Sequence, residues 1–516
     1  MSGWVQSKLW IIYKTYHQYW AKVKQIINNF TMSVATPIIP ETTKLRYNQH
    51  NLEQLFLSHQ ATLEGQNQST IVSLYQIIPE VDTLSVLECL TSENNSDLSQ
   101  NETYFYWENK ANREAILGYG MTESCQLNIE SRFRDLKKFV NNCFQKLTKV
   151  NHDDSSTSSP HVFCGFTFFS ETNQLKFPFP SAFAFLPKLE IIKQKEKQIL
   201  ILNLLIDYQT DIKKLVHQTM ANLKLITKIK TYQNLDKPIK IPVNLMNKYE
   251  IGQGFKSSVA SVLESIEANY FEKLVLASAL DLSSFHDISI INCLRNLRNN
   301  HPDCYIFAVN NGENNCFLGA SPERLISLKN NQLLSDALAG SIARGNTKRE
   351  DYYLAQHLLK SSKERREHQV VIEFIVQRLI SLGLSPQISP LKVLKLSNIQ
   401  HLWTPIYTQL SPNIHPLEVV AELHPTPAVS GFPTEVTCQE IKRYESFERG
   451  FYAAPLGWID YNGNSEFIVG IRSALISGNQ ARLYAGAGIV EGSEPDKELA
   501  EIQLKFQGLL KALSYC

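Results

Sequence analysis

The stretch KQILILNLLI (197–206) decides the kind of fold to expect, because it is almost continuously apolar over the length of one strand. Two similar runs precede it, HVFCGFTFF (161–169) and AFAFLPKLEII (182–192). Short apolar runs of this kind are typical of buried strands. They predict an extensive sheet rather than a helical bundle. After residue 250, helical and strand patterns mix and turns with glycine and proline become frequent, so we expect the chemistry there.

The composition excludes two classes of protein. The 516 residues are 43% hydrophobic and 20% charged, which is typical of a soluble globular protein. With 51 Lys and Arg against 50 Asp and Glu, no basic excess is left to neutralise phosphates, so nucleic acid is not an expected partner. The longest apolar runs, at 198–206 and 271–280, are far shorter than the roughly 20 residues that span a bilayer. A transmembrane protein is therefore excluded.

Cysteine usage and the N-terminus set the remaining limits. The nine cysteines are scattered without a CxxC pair, so we interpret them as reduced thiols of a cytoplasmic protein. Residues 1–35 form an extension whose aromatic spacing predicts an amphipathic helix, with a mis-assigned start as an equal alternative. We divide the rest into a strand-rich half, 36–250, and a catalytic region, 251–516. A single folding unit and a monomer are expected.

Lys273 lies inside FEKLVLASAL (271–280), which has the pattern of a strand buried on both faces. Burial disfavours the charged ammonium, so we expect a neutral, basic amine to be accessible near neutral pH. The alternative is a lysine that extends from the end of the strand or pairs with a carboxylate such as Glu272. For a lone lysine this alternative is the more common one.

Two predicted turns carry candidate site residues, one of them an acid and the other a contact for an anion. In CFLGASPERL (316–325) a strand is expected to stop at Gly319 and turn before Glu323, where burial can raise the pKa of the carboxyl group and make it an acid. LAGSIARG (338–345) places small residues where backbone N–H groups can approach an anion. An ordinary helix N-terminus and a simple turn are the respective alternatives.

A long helix, at about 352–382, carries polar groups on its apolar side. Apolar residues recur at helical spacing, and Glu364 and His368 fall on the same side. Glu367 lies at its edge, so two carboxylates can point into a cleft. A solvated charge run is the alternative, and it does not explain the positions of Glu364 and His368.

A second helix, at about 496–510, repeats this arrangement. Glu498, Glu501 and Lys505 lie at i, i+3 and i+7, so one face holds carboxylates and a cation. Four carboxylates on two helices, without Cys or His companions, suit a hard cation such as Mg²⁺ better than Zn²⁺. Nearby, the stretch RLYAGAGIV (482–490) and Arg472 could bind a substrate carboxylate, with a structural turn and a surface ion pair as alternatives.

Together and in this order, these stretches resemble the chorismate-utilising enzyme family, and within it the isochorismate synthases. The resemblance spans residues 250–512, and its motifs are EKLVLA, GASPERL, LAGSIARG, KERREHQVV, AELHPTPAVSGFP and RLYAGAGIV. The form HPTPAVSGFP is similar to isochorismate synthases rather than to anthranilate or aminodeoxychorismate synthases. One departure is Ser278, where the family often has arginine. The resemblance implies an α+β fold: a large, mainly antiparallel sheet pair flanked by helices, with the site in a cleft.

The resemblance also implies a role for each residue. Lys273 matches the base that activates water for attack at C2 of chorismate, and Glu323 matches the acid that protonates the departing C4 hydroxyl. Glu367 and Glu501 match the Mg²⁺ ligands. Glu364 and Glu498 are nearby carboxylates that act through water. The expected substrate-binding residues are Gly340, Ser341, His401, Arg472, Gly486, Gly488 and Lys505.

The implied activity is that of an isomerase, a reversible, Mg²⁺-dependent isochorismate synthase for menaquinone or phylloquinone synthesis. Since water is the nucleophile, no glutaminase subunit is expected. A salicylate synthase or an aminating chorismate enzyme uses the same fold and is the first alternative. An inactive, chorismate-binding regulatory homologue is the second, and the joint presence of the base, the acid and the metal ligands argues against it.

Overall fold

The structure is a computed structural model that describes residues 47–65, 68–92, 102–150, 158–171, 177–195, 197–228, 246–247, 253–397 and 399–513. From Tyr47 onward the chain forms one compact unit. The helix predicted within residues 1–35 lies outside the described residues. The division at residue 250 stays a prediction.

The described residues contain 21 strands. In chain order they are β1 (Thr70–Ile78), β2 (Tyr104–Asn109), β3 (Glu114–Leu127), β4 (Leu147–Val150), β5 (His161–Phe166), β6 (Ala182–Gln194), β7 (Lys197–Ile206), β8 (Met246–Asn247), β9 (Lys273–Ser283), β10 (Tyr305–Asn310), β11 (Asn315–Ser321), β12 (Arg324–Lys329), β13 (Gln332–Ala343), β14 (Gln387–Ile388), β15 (Lys392–Lys395), β16 (Ile399–Gln409), β17 (Gly431–Phe432), β18 (Pro455–Asp460), β19 (Ser465–Val469), β20 (Ser473–Ser477) and β21 (Gln480–Val490).

Eleven helices are found in the same ranges. They are α1 (Gln49–Ala61), α2 (Thr83–Thr91), α3 (Arg132–Gln145), α4 (Ile212–Lys228), α5 (Gln253–Glu267), α6 (Ile290–Asn300), α7 (Lys348–Lys360), α8 (Ser362–Ser381), α9 (Pro416–Leu423), α10 (Thr434–Tyr444) and α11 (Pro495–Leu513).

The strands form one hydrogen-bonded network with two long branches that meet at β6. One branch leads from β6 through β3, β2, β10, β11, β20 and β21 to β9. The other leads through β5, β18, β19, β12 and β13 to β16. Every pair in these branches is antiparallel, and Phe105 of the first stacks on Phe163 of the second at 4.3 Å between ring centroids. The predicted α+β fold with a large, mainly antiparallel sheet pair is confirmed.

Two helices that carry predicted site residues pack their apolar faces on the sheets. In α8 the buried side chains include Val371, Ile375 and Leu379, at the spacing that lines one side of a helix. In α11 they include Ile502 and Phe506. This burial fixes which way the polar residues of each helix point.

The single helix predicted at about 352–382 is in fact two helices, so that prediction is wrong. The break lies at Ser361, whose backbone is extended (φ −64°, ψ 117°). Its hydroxyl accepts a hydrogen bond from the Glu364 backbone N–H at 3.4 Å, which caps the first turn of α8. The cap sets the start of the helix that carries the first pair of glutamates.

Two further expectations concern membranes and cysteines. None of the helices in the described ranges is long and apolar enough to cross a membrane. Seven of the cysteines are free thiols. Cys293 is disulfide-bonded, so the interpretation of the cysteines as reduced thiols is wrong at that position.

Candidate active site

One cleft, open to solvent, collects most of the predicted site residues. It lies where β9 and β21 of one branch approach β13 and β16 of the other. Its walls include ten of the thirteen predicted residues: Glu323, Gly340, Ser341, Glu367, His401, Arg472, Gly486, Gly488, Glu501 and Lys505. The other three, Lys273, Glu364 and Glu498, lie behind these walls.

Lys273 begins β9, which pairs with β21 along its whole length. Its side chain is only 3% exposed, and its Nζ donates to Glu367 Oε1 at 2.7 Å. The lysine is therefore buried as predicted, and its partner is Glu367 rather than Glu272. Because side chains alternate along a strand, Ser278 lies on the opposite face of β9 from Lys273.

Gly488 leaves room for this ion pair. A Cβ at Gly488 would lie 2.9 Å from Glu367 Oε1 and 3.1 Å from Lys273 Cε. A larger residue at Gly488 would therefore require the Glu367 carboxylate or the end of the Lys273 side chain to shift. Gly486 is similarly close to Tyr452, whose hydroxyl would lie 2.7 Å from an added Cβ. These glycines admit neighbouring side chains into the cleft wall.

Glu323 lies in the connection between β11 and β12. The strand β11 continues to Ser321, two residues beyond the expected end at Gly319, because Ser321 still pairs with Tyr305 of β10. The Ser321 hydroxyl accepts the Glu323 backbone N–H at 3.2 Å, and the Glu323 carbonyl accepts the Val469 N–H at 3.0 Å. The backbone N–H and carbonyl of Glu323 are therefore both hydrogen-bonded, which fixes the point from which its side chain extends.

Burial raises the pKa of Glu323 to about 8, with a smaller contribution from the charge of Asp336. The charges of Lys273 and Lys505 act in the opposite direction and do not reverse the shift. A carboxyl group with such a pKa carries its proton at neutral pH. Glu323 therefore has the protonation state that the sequence predicted for an acid.

Gly340 and Ser341 lie within β13 at a β-bulge, so the turn predicted for residues 338–345 is wrong at these two positions. Glu364 sits against this bulge. Its Oε2 accepts the Ser341 backbone N–H at 3.1 Å, so this amide serves the protein's own carboxylate. Gly340 has a left-handed backbone (φ 75°), and a Cβ there would lie 3.1 Å from Glu364 Oε2. Glycine is required at this position both for the backbone and for the space. The Ser341 hydroxyl also reaches Glu501 Oε1, at 3.4 Å.

The four glutamates on α8 and α11 influence one another's charge. Burial, and then the charge of Glu367, raise the pKa of Glu364 to about 7. Burial and Glu501 raise the pKa of Glu498. For Glu501 burial acts to raise the pKa, but the charge and hydrogen bond of Lys505 prevail and lower it. The cluster therefore holds excess negative charge that a cation would relieve.

All four donors are carboxylates, which fits Mg²⁺ in kind. Their arrangement differs from a closed metal site: the described residues contain no group of three or more His, Cys, Asp or Glu side chains that could hold a metal ion. Each of the two predicted ligands instead pairs with a lysine, Glu367 with Lys273 at 2.7 Å and Glu501 with Lys505 at 2.6 Å. A cation bound by Glu367 and Glu501 would compete with Lys273 and Lys505 for these carboxylates.

The opposite wall offers groups for an anion. Arg472 has a left-handed backbone (φ 52°) at the bend between β19 and β20, and no described carboxylate pairs with its guanidinium. The Nε2 atom of His401 is buried without a hydrogen-bond partner among the described residues. Burial, followed by the charges of Arg472 and Lys505, lowers the pKa of His401 to about 3, so the imidazole is neutral. Lys505 Nζ also donates to the Gly486 carbonyl at 2.6 Å.

Sequence reasoning missed three residues around the cleft. Tyr452 lines it and stacks on Tyr484, with ring centroids 5.2 Å apart. Glu445 and Arg449 form a buried ion pair behind the wall, with exposed side-chain fractions of 2% and 1%. In the sequence, the only indication of this pair is the i, i+4 spacing of Glu445 and Arg449 in ESFERGF. The same spacing is equally typical of a solvated helix end.

Comparisons with known proteins identify relatives of this chain. The model of the family described as chorismate binding enzyme matches residues 56–514. The isochorismate synthase MenF of Bacillus subtilis (strain 168) is 30% identical over 461 residues, which are 87% of this chain and 94% of that protein. The salicylate biosynthesis isochorismate synthase of Pseudomonas aeruginosa is 41% identical over 261 residues, which are 50% of this chain and 54% of that protein.

A solved structure is also similar, that of MenF, the menaquinone-specific isochorismate synthase from Escherichia coli. Its TM-score is 0.70 at 27% sequence identity, and the match covers 90% of this chain and 100% of that one. The family model and the two MenF proteins also match the strand-rich first half of the chain, which the sequence motifs alone did not tie firmly to the family. The predicted family is confirmed: this chain belongs to the chorismate-binding enzymes.

Proposed function

We propose that this chain is an isochorismate synthase, an isomerase that interconverts chorismate and isochorismate. The observation that carries the proposal is the position of Glu323. Its buried carboxyl group, with a pKa raised to about 8, lines the same cleft as Arg472, and the charge of Lys273 acts on it. Two relatives that are named isochorismate synthases support the same conclusion, one of them along nearly its whole length.

The reaction needs one proton acceptor and one proton donor. Water attacks C2 of the ring, Lys273 takes a proton from that water, and the ring double bonds shift. The C4 hydroxyl leaves as water after it receives the proton of Glu323. One water enters and one leaves, so the net change is an isomerisation, and the reverse reaction exchanges the two roles.

Binding a dianion requires positive charge and hydrogen-bond donors in the cleft. The Arg472 guanidinium can bind a carboxylate through two hydrogen bonds. His401 Nε2, neutral and without a partner, can bond to a substrate oxygen. Lys505 is held in place by Glu501 and by the Gly486 carbonyl, so its ammonium group is already in position before the substrate binds.

We include Mg²⁺ in the proposal. Glu367 and Glu501 would hold it, with Glu364 and Glu498 acting through water, and the bound ion would supply positive charge to a substrate carboxylate. The support is the all-oxygen donor set and the raised pKa values of Glu364 and Glu498. The competition between Mg²⁺ and the Lys273 ammonium for Glu367 would couple metal loading to the state of the base.

Menaquinone synthesis is the proposed pathway, with phylloquinone synthesis second. The support is that two of the similar proteins are named MenF and that the solved Escherichia coli one is described as menaquinone-specific. A monomer without a glutaminase subunit, in the cytoplasm, stays a prediction.

The proposal is tested by incubating the purified chain with chorismate and Mg²⁺, with and without ammonium, and identifying the products by chromatography. Isochorismate formed without ammonium is the expected result. Salicylate with pyruvate would make the chain a lyase, and a product that needs ammonium would make it an aminating enzyme. Tight binding of chorismate and Mg²⁺ with no turnover would leave a regulatory binding protein.

A further inference from the structure

The strand that carries Lys273 has an incomplete edge. On one side β9 pairs with β21 from Lys273 to Ser283. On the other side β17 lies opposite Lys273 and Leu274, and β8 lies opposite Leu282 and Ser283, with two residues each. The next bond on this edge runs from the Val275 N–H to the carbonyl of Ser430, at 3.0 Å. Between this bond and the residues that pair with β8, the buried backbone groups of β9 need other partners.

Two side chains take the place of the missing strand. Arg449 Nη2 donates to the Val275 carbonyl at 2.8 Å. Glu445 Oε1 accepts the Ala277 N–H at 2.8 Å. The two side chains are bonded to each other, from Arg449 Nε to Glu445 Oε2 at 2.8 Å and from Arg449 Nη2 to Glu445 Oε1 at 2.6 Å. The ion pair therefore makes the backbone hydrogen bonds that a neighbouring strand would make along β9, the strand that carries Lys273.

The same guanidinium also binds other walls of the cleft. Arg449 Nη1 donates to the Val429 carbonyl at 2.8 Å, and the Arg449 Cζ atom lies over the Tyr452 ring, 5.9 Å from its centroid. Val275, Val429 and Tyr452 all line the cleft. Neither member of the ion pair lines it, so the pair acts on the site from behind.

We propose that Glu445 and Arg449 are positioning residues that fix Lys273 relative to the cleft walls formed by Val429 and Tyr452. The inference rests on the proposed function, because the position of Lys273 matters for the rate only if Lys273 is the base of that reaction. A base must stand within hydrogen-bond reach of the attacking water, and a displacement of about 1 Å can cost about 100-fold in rate. Removing one member of a buried pair leaves the other charged and unpaired, which would release the edge of β9.

The test compares Arg449→Ala and Arg449→Lys with Arg298→Ala. Arg298 is a suitable control because it pairs with Asp82 at another helix contact and does not line the cleft. We expect both Arg449 variants to lose about 100-fold in kcat for chorismate, with KM changed less than about threefold. Added guanidinium ion should restore part of the kcat of Arg449→Ala. Arg298→Ala should lower Tm while kcat stays near the wild-type value.

A second readout does not depend on activity. Hydrogen exchange of the peptide 271–280 should be faster in Arg449→Ala than in the wild type or Arg298→Ala, and guanidinium should slow it. If Arg449→Ala does not fold, Arg449→Lys and Glu445→Gln serve for both measurements. Wild-type kcat in the folded variants, or unchanged exchange in this peptide, would overturn the proposal. If the wild type itself fails to convert chorismate, the proposed function fails while the exchange result still decides the positioning role.

Discussion

The Nζ atom of Lys273 lies 2.7 Å from Oε1 of Glu367, so the predicted base and a predicted metal ligand are the two members of one ion pair. The pair is buried, with 3% of the lysine side chain and 15% of the glutamate side chain exposed. A cation bound at Glu367 would compete with the ammonium. The predicted acid, Glu323, lies in the connection between β11 and β12, and the charge of Lys273 acts on it.

Glu323→Gln should reduce kcat by about 100-fold to 10,000-fold, because the amide cannot donate a proton to the departing hydroxyl. The change is nearly isosteric, so Tm should not fall. A matched control is Glu466→Gln, which alters a buried glutamate on β19 that does not line the cleft. A Glu323→Gln variant with wild-type kcat would remove the acid from the mechanism.

The pH dependence of kcat/KM should follow the protonation of Glu323. Its pKa is raised to about 8, chiefly by burial, and only the protonated form is an acid. Activity should therefore fall as pH rises through about 8. The folded-state pKa exceeds the ordinary value of 4.5, so the stability given by the neutral carboxyl group is full below 4.5 and is lost as pH rises through about 8.

The same titration should appear in thermal unfolding. The Tm of Glu323→Gln minus that of the wild type should increase between about pH 5 and pH 8, because in this range the carboxyl group ionises in the unfolded wild type but stays protonated in the folded one. A difference that stays constant over this range, together with a flat kcat/KM profile, would mean that Glu323 is ionised throughout.

Lys273→Arg should fold and keep its ion pair with Glu367, yet lose about 100-fold or more in kcat. A guanidinium stays charged at any accessible pH and cannot take a proton from water. The measurements are kcat, and chorismate affinity by calorimetry, which should change little. Substantial turnover by this variant would show that another group acts as the base.

Glu367→Ala and Glu501→Ala should each abolish saturable Mg²⁺ binding, measured by calorimetry without substrate. Glu364→Gln should weaken it by about 10-fold to 100-fold if that carboxylate acts through water. Glu373→Ala is the control, because Glu373 lies on the same helix and is exposed to solvent. Unaltered Mg²⁺ affinity in both of the first two variants would exclude these residues as ligands.

Much of the candidate site could be predicted from the sequence. Lys273, Glu323 and Gly488 each occupy a strand or a strand end whose apolar pattern or turn residues are visible locally. Their meeting in one cleft did not follow from periodicity, because it depends on the pairing of β9 with β21 and on the bend before β12. The family resemblance supplied that step.

The remainder depends on contacts between distant residues. The helix break at Ser361 was missed because apolar spacing continues across it, while a cap is set by a single side chain. The Ser341 amide was expected to face a substrate anion, yet it donates to Glu364, which is 23 positions away. Glu445 and Arg449 resemble a solvated charge pair in the sequence, and only the open edge of β9 explains their burial.

The most direct test of the central claim is to run the reaction in water enriched in ¹⁸O and to follow the early product by mass spectrometry. Attack by water at C2 predicts isochorismate that carries one ¹⁸O atom in its C2 hydroxyl, while unreacted chorismate is unlabelled at the start. Isochorismate without the label would contradict water attack, and an absence of any isochorismate would contradict the proposed function itself.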